Sequence, residues 1–467
     1  VELDAAARHR DQLWHEATSL IDDLLLSHHE QARAPNLHSY WSQKLLTKTL
    51  GKQKDRLSKL DKMVSYHCFR EVGASRSCKT GDRAFIPIIR TENALSTIPA
   101  YRMQSVDQDF PEVFSVQAFR RYAEDPDRKH NTLTLRNGLL AELRATASRG
   151  VLPAAIKEKR VAVQRQLERL SSSEDRVKEL SAHLANPPPD AVSADGQFAT
   201  SKTVYRYTSG LPSRRFAVGL AAQSLSRRHL EHLLDSTIDL DIANCMFTLM
   251  TQLIDMLKPT KTGHAYIDGL LDFPSFRAVA KDRDTAIAHI ASVVGKAAAK
   301  QINLQVAGGG AIPAEFRDDQ YLQSLSKEAK LLRWLASSVL PDGTYERVRE
   351  EHPHKWTDAH LFYLLWSGFE DSVLAAITEK LNEFCPEHLS LHFDGVRVKQ
   401  SAVVNTALLI KQCEDHVFQT TGFSVKLVMK KHRYFFDMIE PGPTAPPAHT
   451  VANAPPKLLE TGHCIPC

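Results

Sequence analysis

The chain has 467 residues, of which 43% are hydrophobic and 24% charged, and its formal net charge is +4. This length and hydrophobic content suffice for a large core and indicate two to four domains. The small net charge permits a nucleic-acid partner without requiring one. No apolar run approaches the roughly 18–20 residues of a transmembrane helix, so a membrane partner is not expected. The seven cysteines lack the spacing of a disulfide framework. This favours an intracellular protein, and the nucleus is one candidate compartment.

Residues 1–153 are predicted to form a mostly helical N-terminal region of unknown role. Within it, the lysine-rich stretch KLLTKTLGKQKDRLSKLDKM has leucines at helical spacing, and a solvated amphipathic face is favoured over a nucleic-acid-binding arm. The stretch RAFIPIIR predicts one short strand. Residues 154–185 are predicted to form a long charged helix that packs against another helix, because apolar residues recur every seven positions. These residues are Ile156, Val163, Leu170, Val177 and Leu184.

A second domain is predicted to follow a linker. Residues 186–201 contain three prolines and small polar residues, which are typical of a linker. Residues 202–432 alternate a few short strands with many helices, and the strands lie far apart in the sequence. This order predicts an α+β domain with an antiparallel sheet. The proline-rich residues 441–467 are predicted to be a disordered tail.

Two acidic stretches stand out in this domain. STIDLDIANCMFTLM, residues 236–250, reads as a strand that passes into a helix, with Asp239 and Asp241 near the end of the strand. HLSLHFDGVRV, residues 388–398, reads as a hairpin, and Asp394 has a simple explanation as half of an Asp-Gly turn. Carboxylates on neighbouring strands are also what a divalent metal needs. Asp239 is favoured as an ion-pair partner over a metal ligand.

A basic stretch lies between the two acidic ones. In GKAAAKQINLQVAGGG, residues 295–310, Lys296 and Lys300 are four residues apart and share one helical face, with Asn303 adjoining. A plain alternative is a solvated face that ends in a glycine C-cap. No G-x-G-x-x-G follows a strand here, so a dinucleotide site is not indicated.

In this order, the three stretches resemble motifs A, B and C of family A DNA polymerases, and most closely the divergent relatives found in large DNA viruses and mobile elements. The resemblance covers about residues 203–432. DIANCMFTL looks like motif A, with Asp241 at a metal-binding aspartate and Asn244 at a polar position that would contact nucleotide. KQINLQVAGG is similar to motif B, with Lys300 at the triphosphate-binding lysine. LHFDGVRV resembles motif C, with Asp394 at the second metal-binding aspartate.

The resemblance also assigns weaker positions. Lys296 stands where the family has an arginine, and Lys296 and Asn303 would contact the incoming nucleotide. AAQSLSRR looks like the segment that contacts primer and template, so Gln223, Arg227 and Arg206 would bind nucleic acid. The chain departs from the family pattern after the motif C aspartate, where glycine replaces the usual glutamate.

The resemblance implies a polymerase-like palm with an antiparallel sheet and helical fingers, with residues 154–185 as a thumb. Catalysis by Asp241, Asp394 and Lys300 would be template-directed nucleotidyl transfer in the replication of a viral or mobile element. The expected cofactor is Mg²⁺, as two ions, with Mn²⁺ as an alternative. The expected partners are a primer-template and nucleoside triphosphates. Two alternatives stay open, namely a catalytically degenerate palm that binds nucleic acid or partners, and a metal-dependent nuclease that uses the same acids.

Overall fold

The computed structural model describes residues 41–42, 69–73 and 84–87 and most of residues 89–430. The residues of this last span that it does not describe are 104–107, 148–153, 186–197, 208–212, 219–220, 226–229, 231–232, 235–236, 261–264, 342, 352–356, 385–388, 393, 401–402 and 404. The lysine-rich helix, most of the linker and the proline-rich tail predicted from the sequence lie outside the described residues.

The bounds of the main elements follow the chain. The strands are β1 Trp41–Ser42, β2 Phe69–Gly73, β3 Ala84–Pro87, β4 Gln108–Ser115, β5 Phe198–Tyr207, β6 Arg215–Val218, β7 Thr237–Ile242, β8 Leu389–His392, β9 Gly395–Lys399 and β10 Leu427–Lys430. The helices are α1 Val116–Glu124, α2 Pro126–Ala147, α3 Ala154–Ala185, α4 Cys245–Leu257, α5 Ala265–Leu271, α6 Pro274–Ala286, α7 Ala288–Val294, α8 Lys296–Ala307, α9 Gln320–Val339, α10 Thr344–Glu351, α11 Thr357–Asn382 and α12 Thr406–Thr421.

The chain divides into two compact units. The first takes its described residues from Val1–Gln104 and Asn244–Glu370, and the second takes them from Ser105–Ala243 and Asp371–Cys467. The predicted domain at 202–432 therefore contributes to both units. Helices α4 to α10 all belong to the first unit, and they are inserted in the sequence between strands β7 and β8 of the second unit.

The second unit contains two antiparallel sheets. Strands β4, β5 and β6 form one sheet in that order, and the other has the order β10-β7-β9-β8. The hydroxyl of Tyr205, on β5, accepts a hydrogen bond from the Leu391 backbone N of β8 at 3.3 Å, which connects the two sheets. In addition, the buried Arg215 of β6 pairs with Asp371 of α11 at 2.8 Å. A buried pair of this kind is costly to break on one side only, so it fixes α11 against the first sheet.

The long helix α3 spans Ala154–Ala185, as the heptad spacing predicts. It packs against α1 and α2. Val163 and Val177 of the predicted seam are buried, and Leu170 is half-buried. Arg128 of α2 also forms an ion pair with α3. The role of this helix as a thumb stays a prediction.

The first unit is built mainly from helices around aromatic side chains. The rings of Phe247 in α4 and Phe276 in α6 lie 5.0 Å apart, and both residues are fully buried. The buried carboxylate of Glu328, in α9, accepts hydrogen bonds from the backbone N atoms of Ser275 and Phe276 at 2.9 and 3.0 Å. It therefore satisfies the free N–H groups at the start of α6 and joins α6 to α9. Burial raises the pKa of Glu328.

The predicted α+β class is confirmed, because helices combine with small antiparallel sheets. In the part of the chain that the structure describes, no helix is both long and apolar enough to cross a membrane. The described residues of the N-terminal region include strands β1 to β4 beside helices α1 and α2, and the mostly helical character of residues 1–153 stays a prediction. Short runs such as Phe69–Gly73 are too brief for their periodicity to separate strand from helix. Strand β5 also begins at Phe198, inside the predicted linker.

Candidate active site

Asp241 and Asp394 come together at one end of β7. Strand β7 lies between β9 and β10, and Asp241 is paired across the sheet with Gly395 on one side and Val428 on the other. One residue further on, the backbone N of Ile242 donates to the carbonyl oxygen of Asp394 at 2.9 Å. The hairpin that carries Asp394 is therefore hydrogen-bonded directly beyond Asp241.

The hairpin turn has a different register from the predicted one. His392 of β8 pairs with Gly395 of β9, so Asp394 lies in the connection and Gly395 already belongs to the strand. The φ angle of Gly395 lies outside the left-handed region. The prediction that Asp394 and Gly395 together form an Asp-Gly turn is therefore wrong. The signal was misread because Asp-Gly is common in turns whatever its position in a particular hairpin.

Gly395 is required for another reason. A Cβ atom on this residue would lie 2.6 Å from the carbonyl oxygen of Leu240 and 3.2 Å from Oδ1 of Asp241. Real side chains do not approach a backbone oxygen so closely. Glycine therefore allows β9 to approach β7 at the point where the two aspartates meet.

The carboxyl group of Asp241 has an unusual charge environment. Burial, followed by the negative charge of Asp394, raises the pKa of Asp241 to about 7 from its ordinary value of 3.8. The hydrogen bond and the charge of Lys430 act in the opposite direction. The Nζ atom of Lys430 lies 2.5 Å from Oδ1 of Asp241. Any further cation at this position would favour the ionised carboxylate.

Asp239 behaves as the sequence predicts. Its Oδ2 atom accepts a hydrogen bond from Nη2 of Arg397, its cross-strand partner on β9, at 3.1 Å. Both residues are buried, so the preferred interpretation of Asp239 as an ion-pair partner is confirmed. Nearby, burial, followed by the charges of Arg397 and Lys430, lowers the pKa of His392 to about 3. His392 is therefore neutral at physiological pH. Among the described residues, Arg397 pairs with Asp239 and Lys430 pairs with Asp241.

Sequence reasoning missed both Lys430 and Arg397. The signal for them was present, because an acid on one strand is commonly opposed by a cation on the neighbouring strand. GVRVK, residues 395–399, and LVMK, residues 427–430, each contain a cation within an apolar strand. The pairing of these strands with β7 joins segments more than 150 residues apart, so the sequence alone did not reveal the register.

The two aspartates fit a divalent metal of the Mg²⁺ class. Within the described ranges, no group of three or more His, Cys, Asp and Glu side chains is arranged to hold a metal. Mg²⁺, however, is commonly bound by one or two carboxylates, with water and substrate phosphates completing its shell. Asp241 and Asp394 offer only hard oxygen atoms, and their mutual repulsion would be relieved by a cation. Lys430 already engages one of these oxygens.

The basic stretch forms helix α8 in the first unit. Nζ of Lys296 lies 2.6 Å from Oδ2 of Asp284, and Nζ of Lys300 lies 3.9 Å from Oδ1 of the same residue. The two lysines therefore share one face, as predicted from their spacing. Lys296 is mostly exposed, whereas Lys300 is about one-third exposed. The hydrogen bond from Lys296 is the main cause of the lowered pKa of Asp284.

Asn303 lies further along α8 and, unlike the two lysines, is buried. It is fully buried, and its Oδ1 atom accepts a hydrogen bond from the hydroxyl of Tyr321 in α9 at 2.6 Å. Burial raises the pKa of Tyr321, so this hydroxyl remains a donor. In this conformation Asn303 joins α8 to α9, and its contact with a nucleotide stays a prediction.

The three glycines after α8 terminate the helix. The backbone N of Gly309 donates to the carbonyl of Val306 at 2.9 Å, and that of Gly310 donates to the carbonyl of Gln305 at 2.8 Å. Gly309 has φ +92°, which favours glycine. This pattern is the Schellman C-cap, so the predicted glycine C-cap is confirmed.

Asn244 has a structural role. It adopts φ 50° at the start of α4, a left-handed conformation that asparagine tolerates better than most residues. Its Nδ2 atom donates to the carbonyl of Val279 in α6 at 3.2 Å. These two features explain an asparagine at this position without a ligand, and its contact with a nucleotide stays a prediction.

The proposed nucleic-acid contacts differ in accessibility. Oε1 of Gln223 accepts a hydrogen bond from the backbone N of Ala217 at 2.8 Å, so this side chain is engaged by β6. Arg206 is exposed on β5. Arg227 lies outside the described residues. Of these three, Arg206 is therefore the one whose described side chain is open to a phosphate backbone.

Comparison with known proteins identifies no family for this chain. No protein-family model matches the chain, and no curated protein matches it. The resemblance to family A DNA polymerases therefore rests on the motif residues and on the chemistry of the two aspartates.

Proposed function

We propose that this protein extends a primer on a template, with Asp241 and Asp394 as the residues that hold two divalent metal ions. One observation carries the proposal, namely the adjacency of two carboxylates at the end of β7. Asp394 is close enough to raise the pKa of Asp241. Repulsion between carboxylates opposes folding, and perturbed acids of this kind cluster at functional sites. A cation-dependent reaction is therefore favoured over a purely structural role.

The chemistry matches two acidic ligands. A pair of Mg²⁺ ions would activate the primer 3′-hydroxyl and stabilise the leaving oxygen on the triphosphate. Asp241 would bind the ions from strand β7 and Asp394 from the connection before β9, leaving positions for water and for substrate phosphates. Gly395 would keep the two strands close enough for both carboxylates to serve the same ions.

The proposal assigns the incoming triphosphate to Lys296 and Lys300. Pyrophosphate leaves with several negative charges, which lysines stabilise as the charge develops. Asp284 lies beside both lysines and would compete with the phosphates for them. A triphosphate is a polyanion, so it offers these lysines more negative charge than the carboxylate of Asp284 does.

A catalytically degenerate palm is the second candidate. The ion pair between Lys430 and Asp241 favours it, because an ammonium can neutralise this carboxylate without a metal. Such a protein would bind nucleic acid or a partner and would leave primers unchanged.

Primer extension distinguishes these functions. The full chain is incubated with a labelled primer-template, all eight nucleotides, and Mg²⁺ or Mn²⁺. We expect extension by the wild type and by Asp415→Asn, a control at an exposed aspartate of α12, and none by Asp241→Asn or Asp394→Asn. Binding without extension would support the degenerate palm. Shortening of the primer that requires Asp241 and Asp394 would instead identify a nuclease.

A further inference from the structure

We infer that Lys430 is an internal cation that occupies Asp241 when metal is absent and that leaves Oδ1 of Asp241 when a metal ion binds. This inference rests on the proposed function, since it assumes that Asp241 is a metal ligand. It adds to that function a residue that sets the metal affinity of the site.

Strand pairing explains why Lys430 reaches Asp241. Strand β10 runs antiparallel to β7, with Lys430 opposite Asp239 and Val428 opposite Asp241. Asp239 is already paired with Arg397 of β9. Lys430 pairs with Asp241 instead. Its Nζ atom lies 2.5 Å from Oδ1 of Asp241, although its backbone is opposite Asp239.

Of the two described cations that pair with Asp239 and Asp241, Lys430 is the one that can exchange with a metal. The side chain of Arg397 is 3% exposed, so moving its guanidinium away from Asp239 would strand a charge in the interior. The side chain of Lys430 is 37% exposed, against 14% for Asp241. Its ammonium can therefore move into water at little cost while its stem stays on the strand.

The start of β10 is held independently of this ion pair. The backbone N of Leu427 donates to Oε1 of Glu414 in α12 at 2.7 Å. Four backbone pairs also join β10 to β7, from Leu427 opposite Ile242 to Lys430 opposite Asp239. Release of the Lys430 ammonium therefore requires a change of rotamer and no loss of the strand.

Mn²⁺ binding to the metal-free full chain, followed by electron paramagnetic resonance, tests the inference. We expect Lys430→Met to bind Mn²⁺ about five- to tenfold more tightly than the wild type, because the metal no longer competes with the ammonium. This factor corresponds to the free energy of a charge-assisted hydrogen bond, reduced because Lys430 is partly exposed. Lys430→Arg should bind like the wild type. Lys426→Met, at an exposed lysine just before β10, serves as the matched control and should not change the affinity. Asp241→Asn should bind at least tenfold more weakly.

A second measurement uses the unaltered protein, so it holds even if Lys430→Met fails to fold. Lysines are acetylated with an activated ester, and the extent at each position is measured by peptide mass spectrometry. Saturating Mn²⁺ should increase the acetylation of Lys430, because its ammonium leaves Asp241. Acetylation of Lys426 should be unchanged.

The outcomes separate this inference from the proposed function. If Asp241→Asn loses Mn²⁺ binding while Lys430→Met matches the wild type and the acetylation of Lys430 is unchanged by Mn²⁺, the metal site stands and the inference fails. If the wild type and Asp241→Asn bind Mn²⁺ equally well, or if neither binds it, the inference and the proposed function fail together.

Discussion

At the residue scale, the end of β7 combines features that folding alone does not favour. Asp241 is nearly buried beside a second carboxylate, and its pKa is raised to about 7. Asp239, two residues earlier, is fully compensated by Arg397. The two aspartates on one strand therefore differ: Asp239 is held in an ion pair, whereas the strained environment of Asp241 is the basis of its proposed role as a metal ligand.

Asparagine at positions 241 and 394 should separate folding from chemistry. We expect Asp394→Asn to keep a thermal midpoint close to that of the wild type, because asparagine has nearly the same shape and suits a hairpin connection. Asp241→Asn should also fold, with a midpoint at or above that of the wild type at neutral pH, because the amide carries no buried negative charge. Primer extension should fall by orders of magnitude in each, and the double variant should be scarcely worse, because ligands of one metal site act as a unit. Wild-type extension by Asp394→Asn would show that Asp394 is only a turn residue.

The raised pKa of Asp241 predicts a pH-dependent stability. Because the folded-state pKa is about 7 and the ordinary value is 3.8, the folded protein binds more protons between these values, so this carboxyl makes stability fall as pH rises through that window. In metal-free buffer, Asp241→Asn should therefore gain about 2 kcal/mol relative to the wild type between pH 5 and pH 8. Urea unfolding at both pH values measures this difference, and parallel pH curves would contradict it.

Gly395 should tolerate no larger side chain. A Cβ atom there would lie 2.6 Å from the carbonyl oxygen of Leu240, which cannot move without disturbing β7. We expect Gly395→Ala to lower the free energy of unfolding by about 2 kcal/mol, in the range of overpacked sites. Gly269→Ala is the control, because this residue is exposed in α5 with open space around its Cβ position. Equal stability of the two variants would exclude the close approach of β9 to β7.

At the element scale, periodicity predicted most of the second half of the chain. Strand β7, helix α8 and the strands of the hairpin all lie within a few residues of their predicted bounds, because alternation and helical spacing are local properties. The turn register was wrong, since it depends on how β9 meets β7. Lys430 was missed for the same reason. Its contact with Asp241 exists only after strands far apart in sequence have paired.

Helix α8 should act through Lys300. We expect Lys300→Ala to raise the concentration of nucleotide needed for half-maximal extension, because a lost charge-assisted contact costs about 1.5–3 kcal/mol. The ion pair of Lys300 with Asp284 is long and partly exposed, so loss of that pair should cost little stability. Lys281→Ala, at an exposed lysine of α6, is the control. Unchanged nucleotide dependence in a folded Lys300→Ala variant would remove Lys300 from the site.

At the scale of the whole molecule, the proposed function draws on both compact units. The two aspartates belong to the second unit, and the basic face of α8 belongs to the first. The chain crosses between the units after Ala243, two residues beyond Asp241, and again after Glu370. Because these helices are inserted between β7 and β8, the residues of the predicted 202–432 domain are divided between the two units.

Nucleic-acid binding is the property that the whole chain should show even without metal. A net charge of only +4 means that affinity must come from local phosphate contacts such as Arg206, which release counterions when they form. In metal-free buffer, the logarithm of the affinity for a primer-template should therefore fall linearly with the logarithm of salt concentration. Arg206→Ala should reduce that slope by about one. Lys411→Ala is the control and should leave the slope unchanged, because this lysine is exposed on α12 and the resemblance does not assign it to nucleic acid. Fluorescence anisotropy across a salt series measures both slopes. An affinity for the primer-template that does not change with salt concentration, or no affinity at all, would favour a protein-interaction role over a polymerase.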